Sequence, residues 1–337
     1  MKILYVAMKY DYGIPERGLS FEHYNFYETL VAMGHEIEYF DFYSHFQLHG
    51  REAMTKMLKQ KVEDWKPDLM FTFLYGDQFD YTVLKSITDE HKTVTFNWFA
   101  DDHWRFDDFS VHWAPCFHFV STTDVHAIPK YRASGYRNAL LTQWAANPRL
   151  YKKGTGTMSY DVTFVGQSYG DRQKVIQTLV DKGIDVRTWG THWNVKQWHN
   201  YARKLRLLSS HQFEKLVNSS RIDQADMIKI FQSSRINLNL SVASQHRKNQ
   251  IKGRNFEIPA CGGFQLSGYA ECLEEFFVID KEIVCYQSAT ELEEKVRYYL
   301  SHESERLTIA QAGYDRVLRD HTYEKRLSLL FSQMGFS

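Results

Sequence analysis

Two loops in the second half of the chain carry residue types suited to holding an anion. In Val165-Gly166-Gln167-Ser168-Tyr169-Gly170-Asp171-Arg172 a predicted strand ends on a glycine and a helix starts near Arg172 and Lys174. Glycine lets a ligand approach the backbone, a helix N-terminus favours negative charge, and arginine grips a phosphate with two parallel N–H groups. A plain tight turn with a solvated arginine competes with that reading, since the spacing is not the dinucleotide fingerprint G-x-G-x-x-G. The second loop, Gln250-Ile251-Lys252-Gly253-Arg254-Asn255-Phe256-Glu257, is the stronger signal. It sets Lys252, Gly253 and Arg254 before a short helical turn with one carboxylate, and Gly262-Gly263 closes that turn. In the first half, Asn97-Trp98-Phe99-Ala100-Asp101-Asp102-His103-Trp104 follows a predicted strand. A carboxylate pair and an imidazole between aromatic rings suit binding a sugar hydroxyl and helping to deprotonate it. Two other readings stay open: Asp101 and Asp102 cap the next helix, or they form a displaced Asp-x-Asp metal site.

The elements that must position these residues follow a βαβ rhythm. Strands are predicted at Ile3–Ala7, Ile37–Phe42, Leu69–Leu74, Thr93–Phe99 and Phe117–Thr122, with helices near Phe21–Met33, Glu52–Trp65 and Tyr81–Asp89 between them. After the polar, glycine-bearing stretch Lys152–Thr157, read as a linker, the alternation resumes. Strands fall at Asp161–Val165, Asp185–Trp189 and Ile236–Leu240, with helices at Arg172–Asp181 and near Ala225–Gln232. The polar, basic region Thr191–Arg221 has weak periodicity and reads as an insertion or mobile segment. Ser288-Ala289-Thr290-Glu291 is a capping box opening a helix. The fold class expected is α/β: two Rossmann-like, doubly wound domains facing a central cleft, with residues 1–150 in the first and 151–320 in the second. Residues 321–337 are expected to form a helix that packs back on the N-terminal domain.

Composition excludes several function classes. At 337 residues the chain can bury two cores. Its 41 basic and 41 acidic residues cancel, which argues against a nucleic-acid partner, and Arg203-Lys204-Leu205-Arg206 is read as a solvated basic face. Cys116, Cys261, Cys272 and Cys285 show neither a C-x-x-C pair nor zinc spacing and fit a reduced, cytoplasmic protein. The apolar run at the N-terminus is too short for a signal peptide. No run approaches the ~20 apolar residues that span a bilayer, so membrane contact is expected to be peripheral at most.

Arg254-Asn255-Phe256-Glu257-Ile258-Pro259-Ala260-Cys261-Gly262-Gly263 resembles the R-x-F-E-x-x-A-C-G-G segment of the CgeB-like (spore maturation protein-like) glycosyltransferases. Those enzymes are similar to glycosyltransferase families 1 and 4. The likeness continues through Lys281-Glu282-Ile283-Val284-Cys285-Tyr286, Ala289-Thr290-Glu291-Leu292, Ala310-Gln311-Ala312-Gly313 and His321-Thr322-Tyr323-Glu324-Lys325-Arg326. It is close over about residues 234–330, loose at Asp161–Arg172, and in the first half rests on element order.

The resemblance implies a GT-B fold and transfer of a sugar from a nucleoside diphosphate donor, a UDP-sugar, to a glycan, protein or lipid-linked hydroxyl. It further implies retention of configuration, no cofactor and no metal. Glu257 would accept hydrogen bonds from the ribose hydroxyls, with Arg172, Lys174, Arg254, Gly166 and the Gly262-Gly263 turn around the diphosphate. Asp101, Asp102 and His103 would position or activate the acceptor. Asn249 stands where family 4 places a second glutamate against the donor sugar. That departure keeps a catalytically silent nucleotide or glycan binder in view, and the fold itself leaves a nucleotide-sugar epimerase as a second alternative.

Overall fold

The computed structural model describes residues 1–336 apart from Ser244, His246 and Arg247. The chain divides into two compact units, one made of Met1–Asn147 with Thr322–Ser337 and the other of Pro148–His321.

In the first unit the strands are β1 (Lys2–Ala7), β2 (Glu36–Asp41), β3 (Leu69–Thr72), β4 (Val94–Trp98), β5 (Phe119–Thr122) and β6 (Ala139–Leu141). They form one parallel sheet in the order β2-β1-β3-β4-β5-β6, with Ile3 opposite Leu69 and Phe71 opposite Phe96. The crossovers run through a π-wound turn (His23–Tyr27) leading into α1 (Glu28–Ala32), then α2 (Phe42–Trp65), α3 (Tyr81–Glu90), α4 (Asp102–Arg105), α5 (Val111–Trp113) and α6 (Ala127–Ala133). β1 and β3 are apolar at nearly every position because a parallel sheet is covered on both faces. Leu4, Val6 and Met70 pack on one side with Met54, Leu58, Leu84 and Ile87 of α2 and α3. Ile3, Tyr5 and Phe71 pack on the other with Phe26, Leu30 and the chain's last helix. β6 was not evident in the sequence: three half-exposed residues at a sheet edge carry little hydrophobic pattern.

The second unit holds β7 (Tyr160–Val165), α7 (Arg172–Asp181), β8 (Val186–Trp189), α8 (Gln197–Lys204), α9 (Ser210–Val217), α10 (Gln224–Ser233), β9 (Ser234–Asn239), α11 (Arg254–Ala260), β10 (Gln265–Gly268), β11 (Val284–Tyr286), α12 (Ala289–Ser301) and α13 (Glu303–Asp320). Its parallel sheet runs β11-β10-β9-β7-β8. Val162, Phe164, Ile236 and Leu266 form its core with Ile176, Leu179, Leu292 and Val296 from α7 and α12. The last helix, α14 (Tyr323–Gln333), returns to the first unit. Its Leu327, Leu330 and Phe331 complete the core beside Ile3 and Tyr5, and Tyr323 N–H donates to Ala146 O at 3.0 Å.

Two segments differ from the sequence expectation. The polar stretch at 152–157 lies inside the second unit, where Lys152 O accepts from Gln232 Nε2 at 2.6 Å. The weakly periodic region Thr191–Arg221 is folded into α8 and α9. Ser209 caps α9 through a reciprocal box, its Oγ accepting from Gln212 N at 3.2 Å while its own N–H donates to Gln212 Oε1 at 3.0 Å.

Candidate functional sites

In an open parallel sheet, ligands gather beyond the carboxyl ends of the strands where the strand order reverses. In the second unit that point lies between β7 and β9, and both loops singled out in the sequence leave from it. The loop after β7 is packed tightly against its neighbour. Gly190 has φ +133°, and a Cβ there would stand 2.2 Å from Gly166 O, so only glycine fits. A Cβ on Gly166 would meet the Phe164 ring at 2.9 Å.

Arg172 opens α7 but turns inward. It is 5% exposed, and its guanidinium donates to Gln167 O at 2.8 Å and to Leu240 O at 2.7 Å while lying 3.8 Å over the Tyr169 ring. Burial, the largest influence, lowers its pKa from the usual arginine range. Arg172 is therefore a clamp between the loops after β7 and β9, and positions them. Lys174, two residues on, is exposed on the helix surface. Arg172→Ala should lower unfolding free energy by about 2 kcal/mol, because the buried Leu240 carbonyl and the partly buried Gln167 carbonyl lose charge-assisted donors. Denaturant melts test this, and an unchanged midpoint would return the arginine to a ligand-gripping role.

The second loop carries two further cations, Lys252 and Arg254. Lys252 Nζ donates to Tyr169 Oη at 2.7 Å and to Val242 O at 2.8 Å. Below it, Asn255 Oδ1 accepts from Lys252 N–H at 2.9 Å and Asn239 Nδ2 at 3.0 Å. Asn255 Nδ2 in turn donates to Ser267 Oγ at 3.2 Å. This buried amide network fixes the start of α11 against the ends of β9 and β10. Glu257, one turn into α11, is fully buried. Its Oε2 is paired with Arg254 Nη1, and its Oε1 has no hydrogen-bond partner among the described residues. Burial opposes the Arg254 charge, yet the Glu257 carboxylate holds the guanidinium above its ordinary pKa. An orphaned carboxylate oxygen is costly, and a hydroxyl donor would satisfy it.

Asn249 Nδ2 donates to Tyr269 O at 2.6 Å, so its amide is tied to the loop after β10. Gly262 and Gly263 are not brought to this cluster. They stop α11 at its far end, Gly262 with φ +71° and Gly263 N–H donating to Ile258 O at 3.1 Å, before β10 begins. A seven-residue helix spans roughly 10 Å, so this turn sits by the amino edge of the sheet. The glycines are a helix C-cap.

The first unit has a cavity of about 290 Å³ at the carboxyl ends of β1, β3 and β4. Asp11, Glu22, Asp101 and Arg105 line it between aromatic walls that include Phe73, Trp98, Phe99 and Trp144. Burial raises the Glu22 carboxyl to about 7, with Asp11 adding to the effect and its own backbone N–H and the Ser20 hydroxyl opposing it. Arg105 is held at Tyr75 O, 2.8 Å away, and lies 4.0 Å over the Phe109 ring. Of the three residues expected as the acceptor-side group, only Asp101 lines the cavity. Asp102 is 1% exposed and accepts from Tyr131 Oη at 2.9 Å, and burial raises its pKa. His103 stands on α4 outside the lining. Asp101 is the N-cap residue of α4 but makes no side-chain cap bond. Sequence reading ranks the loop holding Asp11 as plain surface and misses Glu22 and Arg105, because only the sheet order brings the loop after β1 beside the loop after β4.

Among the described residues, no cluster of three or more His, Cys, Asp or Glu could hold a metal ion, and no helix is long and apolar enough to cross a membrane.

Comparison with known proteins agrees with this layout. Residues 172–332 match the family described as "Glycosyl transferase-like". The chain is 24% identical over 276 residues to the spore protein CgeB of Bacillus subtilis, covering 79% of this chain and 82% of that one. In fold it is similar to Anabaena Alr3699/HepE, solved in complex with UDP and glucose (TM-score 0.61, 15% identity, 98% and 99% of the two chains). It is also similar to the sucrose-phosphate synthase of Thermosynechococcus elongatus (TM-score 0.65, 10% identity, 99% of each). With two parallel Rossmann-like sheets in the chain and a glycosyl transferase-like match over most of the second unit, the chain has the GT-B fold and is similar to the CgeB spore protein.

Proposed function

We propose that the second unit binds a UDP-sugar and that the first unit binds the hydroxyl acceptor, the sugar being transferred without a metal ion. The observation that carries this reading is Glu257: a fully buried carboxylate at the strand-order reversal, with Oε1 unpartnered. A ribose hydroxyl would satisfy that oxygen. Lys252 and Arg254 supply positive charge beside it, suited to a diphosphate on which charge develops as the glycosidic bond breaks. Alr3699/HepE, similar in fold, was solved with UDP and with UDP-glucose, which supports uridine as the base.

In the first unit, a cavity at the lower end of ligand-pocket size, with aromatic walls and carboxylates, fits one sugar ring. Glu22, with a carboxyl near neutrality, is suited to take the proton of the attacking hydroxyl. A base of this kind serves direct displacement, so the retaining course implied by the resemblance holds only if Glu22 is dispensable.

Thermal melting with UDP, GDP, ADP, CDP and dTDP tests the donor site. UDP at a hundred times its dissociation constant should stabilise by about 2.7 kcal/mol, a rise of several degrees, with the other diphosphates weaker. Silence across all five would overturn the donor assignment. Turnover of a UDP-sugar without acceptor would point to an epimerase, and binding without any turnover to a silent binder.

A further inference from the structure

The segment Thr191–Arg221 is unlike the rest of the chain in charge. It holds six of the 41 basic residues (Lys196, Arg203, Lys204, Arg206, Lys215, Arg221) and one of the 41 acidic ones (Glu214), a net +5 in a neutral chain. Its two helices pack on each other, with the Arg203 guanidinium 4.7 Å over the ring of buried Phe213. The outer face is the reverse of what solvent selects. Trp198, Tyr201 and Leu205 are 60%, 62% and 68% exposed, and Leu207, just beyond, is 76% exposed. Offsets of three and seven residues place Trp198, Tyr201 and Leu205 on one helical stripe. An apolar stripe pointing outward, flanked by cations, has the makeup of an interfacial helix, with aromatic rings at headgroup depth and lysine and arginine on acidic headgroups.

The base of the segment is stitched to the loop after β7. Trp193 Nε1–H donates to Gly166 O at 2.7 Å and Ser168 N–H to Thr191 O at 2.9 Å, while His192 N–H donates to Val217 O at 2.9 Å. The stripe is thus carried on a folded support.

We propose that the α8–α9 segment is a docking surface for an anionic lipid bilayer, the Trp198–Tyr201–Leu205 stripe entering the headgroup layer while Lys204 and Arg206 meet acidic headgroups. Charge complementarity selects this occupant. A second copy related by a two-fold axis would set +5 against +5. A nucleic acid would gain base stacking from the aromatic rings but little from Leu205 and Leu207. The proposal does not depend on the donor assignment, because its test uses no nucleotide.

The test is flotation of the full chain with vesicles of phosphatidylcholine mixed with phosphatidylglycerol, and with pure phosphatidylcholine, at low and raised salt. Binding is expected to the mixed vesicles only and to fall as salt rises. The double variant Trp198→Ser, Leu205→Ser should weaken it about tenfold or more, and Lys204→Glu, Arg206→Glu should weaken it and flatten its dependence on salt. Unchanged melting midpoints show that both variants fold. Absence of binding to anionic vesicles overturns the proposal. So does binding that survives loss of Trp198 and Leu205, or that RNA displaces as readily from the parent as from that variant, since the patch would then read charge alone.

Discussion

Glu257→Gln should leave a folded chain that binds UDP about 10- to 100-fold more weakly, the worth of charge-assisted hydrogen bonds to a carboxylate. The substitution keeps the shape of a fully buried side chain, so packing around α11 survives. It removes the charge that Arg254 Nη1 now meets and the spare acceptor at Oε1. Titration calorimetry with both UDP and uridine separates the two consequences. If Oε1 serves the ribose, uridine weakens by a similar factor, because it carries the same hydroxyls. If Glu257 acts only by orienting Arg254, UDP weakens and uridine does not, and the ribose assignment fails. The helix C-cap at Gly262-Gly263 gives an internal contrast, since it lies by the other edge of the sheet and has no reason to sense the nucleotide.

Glu22→Gln has the larger expected effect on rate. A positioned base contributes about 10²- to 10⁴-fold, so kcat/KM should fall by that much. For the parent, kcat/KM should rise with pH through about 7 and then level, since the active form is the carboxylate and burial holds the carboxyl there. The variant should show no such limb. His23, also near this loop, has its imidazole pushed below the usual range by burial and by Lys9.

Stability gives a second readout with a definite sign. Between the ordinary value of 4.5 and about 7, the folded state keeps a proton that the unfolded chain releases. Parent stability therefore falls as pH rises across that window, and Glu22→Gln should remove the slope. The variant should melt several degrees above the parent beyond pH 7 and together with it below pH 4.5. A variant of full activity would mean that the leaving diphosphate takes the proton and that the product keeps its anomeric configuration. An unchanged slope would mean that the Glu22 carboxyl is not raised in the folded chain.

Much of the scaffold is legible in local pattern. β1 and β3 are near-continuous apolar runs, as suits strands covered on both faces, while β4 and β7 alternate apolar residues with Thr95, Asn97, Asp161 and Thr163, the period of a strand. Ser288, three residues before Glu291, announces α12, and the observed cap accepts from Glu291 N at 3.1 Å. The same reasoning applied to Ser209 and Gln212 would have found α9, but weak apolar periodicity drew attention away from it. Each of the two helices is only eight residues long, and α8 turns Trp198 and Tyr201 outward while Ala202 and His199 are half-buried. A pattern rule that assumes apolar means inside misreads such a helix.

The chemistry divides in the same way. The sequence by itself determined the fold class, the two βαβ series, and Glu257 and Arg254 as neighbours on one short helix, because each rests on residues within a few positions of one another. Tertiary structure decided which side chains face a ligand. Arg172 and Arg254 look alike as helix-opening arginines, yet one bonds the carbonyls of Gln167 and Leu240 and the other a carboxylate. Asp101 and Asp102 are adjacent, yet one lines a cavity and the other is sealed against Tyr131. Glu22, Asp11 and Asp101 meet only because β3 and β4 lie beyond β1 in the sheet, across 90 residues of chain. Hydrophobic pattern encodes the strands that carry these residues. Long-range strand order sets what the side chains meet, and so which carboxylates are buried, which cations are already spent on backbone carbonyls, and which polar atoms still lack a partner.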